Sequence, residues 1–437
     1  IFEKAEISNL SADEMPHVRA LRKVQRNVIL GCSDRDFIAK TIMEDLHAVV
    51  EGRSQQRDEN LGEFLRFATH FVLQVRRQFS QVFDSSSEVG SRAHECSNDI
   101  IAAYIEHLSC RKGCEGMVAL YASHIEPTAK RREVYAAFLR KMGRDGPQLE
   151  CVEKGARHMA NDIDAILKLA VEETRLREES RKPGDFEGLS RGDETKISAL
   201  HLLFFRERNY WDGLRETNAL IRQFVLEPFA DEANGLDGCR GGESSEKRAG
   251  AVLFLLKNDE FLPKAKLLAF IDENDLSNKE DLSNVAKEFK CWVAYAEAKE
   301  TLHKWRCSLV DSEEEELDRK ARDCHRAIQK VLSFPGGWNV PACPTLGSFG
   351  TLDLSSCRSN CLPRMISELW DVSHATGLRN RSDVKRAREW FEMAADVAVE
   401  VADESEGFYK LFSQRSLRAF LKGVNASCLE IIRCNEK

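Results

Sequence analysis

His107, Cys110 and Cys114, with Cys96 upstream, are by type the residues best suited to bind a metal: three thiols and an imidazole. The spacing His-x2-Cys-x3-Cys is not a standard zinc pairing, and Arg111 and Lys112 between the ligands add nothing to one. Buried cysteines behave as small hydrophobes, so core packing is the better reading. Cys343, Cys357 and Cys361 form a second loose group beside an irregular stretch. It could hold a metal or a sensitive thiol pair, but ordinary loop and core cysteines are commoner. Cys324 and His325 are adjacent, and adjacent residues on a helix point to different faces, which makes a poor catalytic dyad. Gly235, Gly238, Gly241 and Gly242 have the glycine density of a phosphate loop. A phosphate cradle also needs a preceding strand and a following helix with Lys and Ser/Thr at fixed offsets, and the pattern supplies neither. No Gly-x-Ser-x-Gly elbow, His-Glu-x-x-His pair or kinase-like set occurs. The sequence therefore assigns no catalytic, cofactor-binding or metal residue.

Charge points away from nucleic acid. The formal net charge is −8 and the isoelectric point about 5.9. Arg111-Lys112, Lys130-Arg131-Arg132, Arg140-Lys141 and Arg144 alternate with acids, as solvated helix faces do. The acidic run Glu313 to Glu316 before Leu317 suits the positive end of a helix dipole. Trp370, Trp390 and Phe391 could be binding hot spots, although in a helical tail they are more readily packed inside. No apolar run nears the roughly 18 residues that span a membrane, Ala249 to Leu256 being the longest obvious candidate. The fourteen cysteines are scattered, no signal peptide is visible although the chain begins at Ile1, and the expectation is a reduced, soluble intracellular protein.

The elements that would carry these residues are helices throughout. Leu61, Phe64, Leu65, Phe67, Ala68, Phe71, Val72 and Val75 mark one wide buried face. Val18 to Leu30, Phe37 to Val50, Asp99 to Leu108, Gly116 to Ser123, Arg131 to Met142, Gln148 to His158 and Ile197 to Phe205 read as further helices, paired antiparallel. Met159, Ile163, Ile166, Leu167 and Ala170 predict a long one ending in the charged run Glu172 to Lys182. Convincing strand alternation is almost absent, and no repeat of fixed period occurs. With 437 residues the chain exceeds a single core. The predicted fold is all-α, an irregular α-helical solenoid of stacked antiparallel helices with a compact C-terminal helical tail. Its parts are 1–182, 183–334 with a mobile 231–246 loop, an irregular linker at 335–359, and the tail at 360–437.

The tail is the most legible part. Ser413 is placed as an N-cap, and Phe412 before it can staple to Leu417. Leu417, Phe420, Leu421, Val424, Leu429 and Ile432 then recur at helical spacing, and so apolar a helix must dock on its own domain or on a partner.

Leu362-Pro363-Arg364-Met365-Ile366-Ser367-Glu368-Leu369-Trp370, His374-Ala375-Thr376-Gly377 and Tyr409-Lys410-Leu411-Phe412-Ser413 together resemble the C-terminal end of the nucleoporin 107 family, called nucleoporin 84 in fungi. Leu61 to His70 resembles that family's "LLRFMTHL" helix, and Val118 to His124 its "ALYTCHL" helix. Trp292-Val293-Ala294-Tyr295 and Phe334-Pro335-Gly336-Gly337-Trp338-Asn339-Val340 fall where the family has comparable runs. Each is mostly a core pattern; their order over nearly the whole chain carries the resemblance.

The resemblance implies a non-catalytic structural subunit of the Y-complex of the nuclear pore, at the nuclear envelope, serving pore assembly, mRNA export and nucleocytoplasmic transport. It implies no cofactor, no small-molecule substrate, no direct nucleic-acid contact and no membrane insertion. It further implies that the tail binds the C-terminal domain of nucleoporin 133, and that nucleoporin 96 (145C in fungi) is bound through an N-terminal half mostly absent here. Other Y-complex subunits complete the partners. The candidate tail contacts are Phe408, Tyr409, Leu411, Phe412, Leu417 and Phe420. Family members usually carry acids after the Leu-Phe-Ser motif, where Arg415 and Ser416 stand here. A vesicle-coat or trafficking adaptor is the alternative of the same architecture. An enzyme would need the Cys96, His107, Cys110 and Cys114 group, or the Cys343 group, to converge.

Overall fold

The structure, a computed structural model, describes residues 16–29, 35–52, 61–84, 86–142, 147–176, 191–226, 250–311, 313–334, 338, 354–404 and 407–436. Among these every regular element is helical and none is a strand. Two compact units are formed, Ile1–Arg175 and Leu176–Lys437. In each, helices pack largely on their sequence neighbours, the arrangement of an irregular α-helical solenoid.

In the first unit α1 is Pro16–Ile29, and α2 runs through Arg35–Lys40, a π-helical Thr41–His47 and Ala48–Glu51. They are followed by α3 (Leu61–Gln78), α4 (Glu88–Ser109), α5 (Glu115–Ala122), α6 (Thr128–Met142), α7 (Gln148–His158) and α8 (Ile163–Leu176). The expected α3 face is real: Phe64, Leu65, Ala68, Val72 and Val75 are buried at helical spacing. Ser87 caps α4, accepting a hydrogen bond from the Gly90 amide at 3.0 Å. Gly113, with φ +87°, supplies the left-handed residue in the turn from α4 to α5. Met159, expected inside the following helix, instead ends α7 at φ −135° and ψ 49°. Buried Asp162 occupies the resulting break, gripped by Arg131 at 2.6 Å and Arg132 at 2.7 Å.

The second unit contains α9 (Arg191–His201), α10 (Tyr210–Leu226), α11 (250–257), α12 (Lys264–Glu273), α13 (Glu280–Asp311), α14 (Glu314–Leu332), α15 (Leu354–Arg379), α16 (Val384–Ala402) and α17 (Gln414–Asn435). Helix α13 is its axis, packed by α10, α14 and α15. Val285, Phe289, Trp292, Tyr295, Ala298 and Trp305 are all buried along it. Glu314, Glu315 and Glu316 fill the first turn of α14, as the acidic run anticipates. Helix α15 begins at Leu354, inside the stretch expected to be linker. Leu354, Cys357, Cys361, Leu362, Met365 and Ile366 are buried in register through Pro363, so packing carries the helix past a residue that lacks an N–H. The 231–246 loop lies outside the described residues.

Candidate protein-docking face

The pieces that build the tail are α15, α16, the single turn Phe408–Leu411 and α17. Gly407, with φ +62°, starts that turn in the left-handed region. Ser413 caps α17 as its spacing predicts, accepting from the Ser416 amide at 3.1 Å. Where a capping box would place Glu, the Ser416 hydroxyl donates instead to the Ser413 carbonyl at 3.0 Å. Phe412 packs its ring against Phe420, with centroids 5.7 Å apart.

Helix α17 lies against α15 and α16 through one narrow face. Phe420, Val424 and Ser427 are buried there. The Ser427 hydroxyl is shared: Trp370 Nε1 donates to it at 3.1 Å, and His374 Nδ1 lies at 2.9 Å. Trp370 also packs so closely over Gly423 that a Cβ there would come within 2.8 Å of the indole. At the far end Glu430 receives Arg381 at 2.8 Å and Arg433 at 2.5 Å. Burial would raise the Glu430 carboxyl, but the hydrogen bonds from Arg381 and Arg433 prevail and hold it below its ordinary value.

The six candidate contacts divide. Phe408, Phe412 and Phe420 are buried within the tail; Leu411 and Leu417 are half-buried, and Tyr409 is exposed. Three other residues of α17 stand further out: Leu421 is 47% exposed, Leu429 56% and Ile432 54%. The sequence shows these three as members of one periodic series. Their separation from the inner face is visible only when the buried side is fixed by Trp370 and Gly423. Trp390 and Phe391 are fully buried, and Trp390 donates to Asp318 at 2.5 Å.

The sites considered for chemistry do not assemble. Among the described residues no three His, Cys, Asp or Glu side chains are grouped to hold a metal. Cys96 is buried and Cys110 exposed. His107 stacks on Tyr104 and lies over Gly62, where a Cβ would meet its ring at 2.4 Å. Burial lowers the His107 pKa, with Arg111 adding to the effect. Cys343 lies outside the described residues, and Cys357 and Cys361 are core residues of α15. Burial pushes the Cys324 and Cys361 thiols up to about 12, the opposite of an activated nucleophile. A surface furrow of about 600 Å³ between α2, α4 and α6 is lined by charges that satisfy one another. His47 meets Asp99 at 3.2 Å, Lys130 meets the same carboxylate at 2.5 Å, and Lys141 meets Glu106 at 3.2 Å.

The family-like motifs, by contrast, meet in pairs. His70, from the Leu61 to His70 run, hydrogen-bonds through Nε2 with the Tyr121 hydroxyl of the Val118 to His124 run at 3.0 Å. Trp292 packs edge-on against Trp338 at 5.3 Å between centroids. Trp370 and His374 meet α17. These motifs contribute to contacts between elements distant in sequence.

Stacked helices with apolar interlocks and a half-exposed apolar helix face are the architecture that helical scaffolds and adaptors share. Within it the chain belongs to the nuclear pore protein 84 / 107 family, whose model matches residues 3–428. It is similar to nuclear pore complex protein Nup107 of Homo sapiens, at 23% identity over 87% of this chain and 41% of that protein. Nup107 of Mus musculus is 22% identical over 85% of the chain and 40% of its own length. The chain thus spans about two fifths of the relatives it matches.

Proposed function

We propose that this chain is part of a non-catalytic structural subunit of the nuclear pore complex, located at the nuclear envelope, whose 360–437 tail joins the Y-complex stalk to the C-terminal domain of nucleoporin 133. Through that link it supports pore assembly and, with it, mRNA export and nucleocytoplasmic transport. The contact to nucleoporin 96 (145C in fungi) is assigned mainly outside the 360–437 tail.

The observation that carries the reading is the outer face of α17, where Leu421, Leu429 and Ile432 stand about half exposed on a helix already packed on its other side. Such a helix gains by receiving a second helix, burying roughly 800 Å² per partner in a standard interface. Half-buried Leu417 lies in the same sector as Leu421 and Ile432, and Leu411 and exposed Tyr409 belong to the turn that precedes the helix. Phe412 and Phe420, whose rings pack together, act through that face by fixing α17 in place, and Phe408 is buried in the turn before it.

The test is a pull-down with the C-terminal domain of nucleoporin 133, comparing the wild type with Leu421→Asp/Leu429→Asp after circular dichroism has shown both to be folded. Capture of the wild type and loss of the folded variant supports the link. Equal capture of both moves the contact off α17, and no capture of the wild type removes this partner.

A further inference from the structure

Helix α17 turns two adjoining sectors to solvent. At 100° per residue, Leu417, Leu421, Cys428 and Ile432 fall within a sector of about 60°. Beside it lie Arg415, Arg418, Lys422 and Arg433, with Leu429 among them. Arg433 is paired with Glu430 at 2.5 Å. Arg415, Arg418 and Lys422 pair with no acid among the described residues. Some exposed cations on other helices are paired locally, as in Lys320–Glu316, Arg322–Asp318 and Arg388–Glu392. The chain as a whole is acidic, at net −8. The first turn of α17 also lacks any acid, so Arg415 sits against the positive end of the helix dipole. Unpaired like charges beside unburied leucines are a local cost that opposite charge on a docked surface removes.

We propose that this face receives an amphipathic helix of a partner protein whose apolar stripe meets Leu421, Leu429 and Ile432 and whose flanking edge carries carboxylates opposite Arg415, Arg418 and Lys422. The inference rests on the docking role proposed above and adds the chemistry of the docked element. A lipid surface is the poorer fit. A basic amphipathic helix lying on a membrane needs its whole apolar face free, and here Phe420 and Val424 are turned inward.

The test titrates the whole chain with the nucleoporin 133 C-terminal domain, reading Kd at low and high salt for the wild type, Arg418→Glu/Lys422→Glu and Leu421→Asp. The expected results are about tenfold weaker wild-type binding at about 0.5 M than at about 0.05 M salt, and about tenfold weaker binding by the charge-reversed variant at low salt. The charge-reversed variant should also lose its salt dependence. Binding that is tight but indifferent to salt and to charge reversal overturns the acidic edge while leaving the docking role intact. Failure of the wild type to bind at about 10 µM fails the docking role itself and the edge with it. Binding of phosphatidylserine vesicles by the wild type that charge reversal abolishes overturns the protein partner in favour of a lipid surface.

Discussion

Helices α13 and α17 are both long and both rich in apolar residues, yet they are used in opposite ways. Around its middle α13 is buried on nearly every side, so that even Asn284, Glu288 and Lys299 are enclosed. Lys299 donates to Glu368 of α15 at 2.5 Å, and Arg364 and Arg306 stand 3.6 and 3.9 Å from the same carboxylate. Burial lowers the Lys299 pKa, opposed by Glu368. Helix α17 is held by one face, through Phe420, Val424, Ser427 and the close approach of Gly423 to Trp370, and leaves three large aliphatic side chains half exposed. An enclosed helix of this kind makes the stack cohere. A half-covered one leaves an apolar strip open, the face to which the proposed docking is assigned.

That contrast can be broken most forcefully in α13. Lys299→Ala leaves Glu368 enclosed with only its more distant arginines, and the expected cost is about 3 kcal/mol in denaturant unfolding. A loss below about 1 kcal/mol would mean that Arg306 and Arg364 already neutralise Glu368 and that the enclosed pair matters little. Gly423→Val acts next, because the new side chain meets the Trp370 indole: α17 should loosen at a cost of about 1–3 kcal/mol, seen as tryptic cleavage at Arg415, Arg418 or Lys422. Cleavage unchanged from wild type would show that Trp370 yields and that the close approach does not hold the helix.

Leu421→Asp/Leu429→Asp sharpens the comparison from the other side. Both residues are about half exposed, so the variant should unfold within about 0.5 kcal/mol of wild type while losing its partner. The smallest effect is on pH. Burial lowers the His374 pKa, and Arg381 lowers it too, whereas Glu430 and Asp371 oppose them. The unfolded chain therefore takes up the proton first as pH falls through 6.5, and the α15–α17 contact loses stability below that value. His374→Gln should flatten this part of the pH dependence of thermal unfolding between about pH 7.5 and 5.5.

Much of this was legible in the sequence, for reasons particular to certain residues. Ser413 reads as a cap because its requirement is local, and α3 reads as amphipathic because its core lies on one stripe. The motifs resembling the nucleoporin family were visible as apolar and aromatic runs, but not that His70 would reach Tyr121 or Trp370 would reach Ser427. Those pairings join residues 51 and 57 positions apart, and periodicity carries no information on partners. The same limit explains the division of the tail candidates. Phe412 and Phe420 are as apolar as Leu421 and Leu429, and only the place where Trp370 meets Gly423 decides which of them faces out. The start of α15 at Leu354 was hidden by Pro341, Pro344, Gly347 and Gly350 just upstream, which make 335–359 read as linker; within the helix, Pro363 is overruled by six buried neighbours in helical register.

Cys428 gives the most direct measurement of the docking face, since its exposed thiol lies in the same sector as Leu421 and Ile432. Alkylation with iodoacetamide, followed by mass spectrometry, would compare Cys428 with exposed Cys110 and Cys307 in the presence and absence of the nucleoporin 133 C-terminal domain. The expected result is protection of Cys428 alone, with Cys110 and Cys307 labelled at their original rates. Cys428 labelled equally fast in a saturated complex would contradict the assignment of α17 as the docking helix.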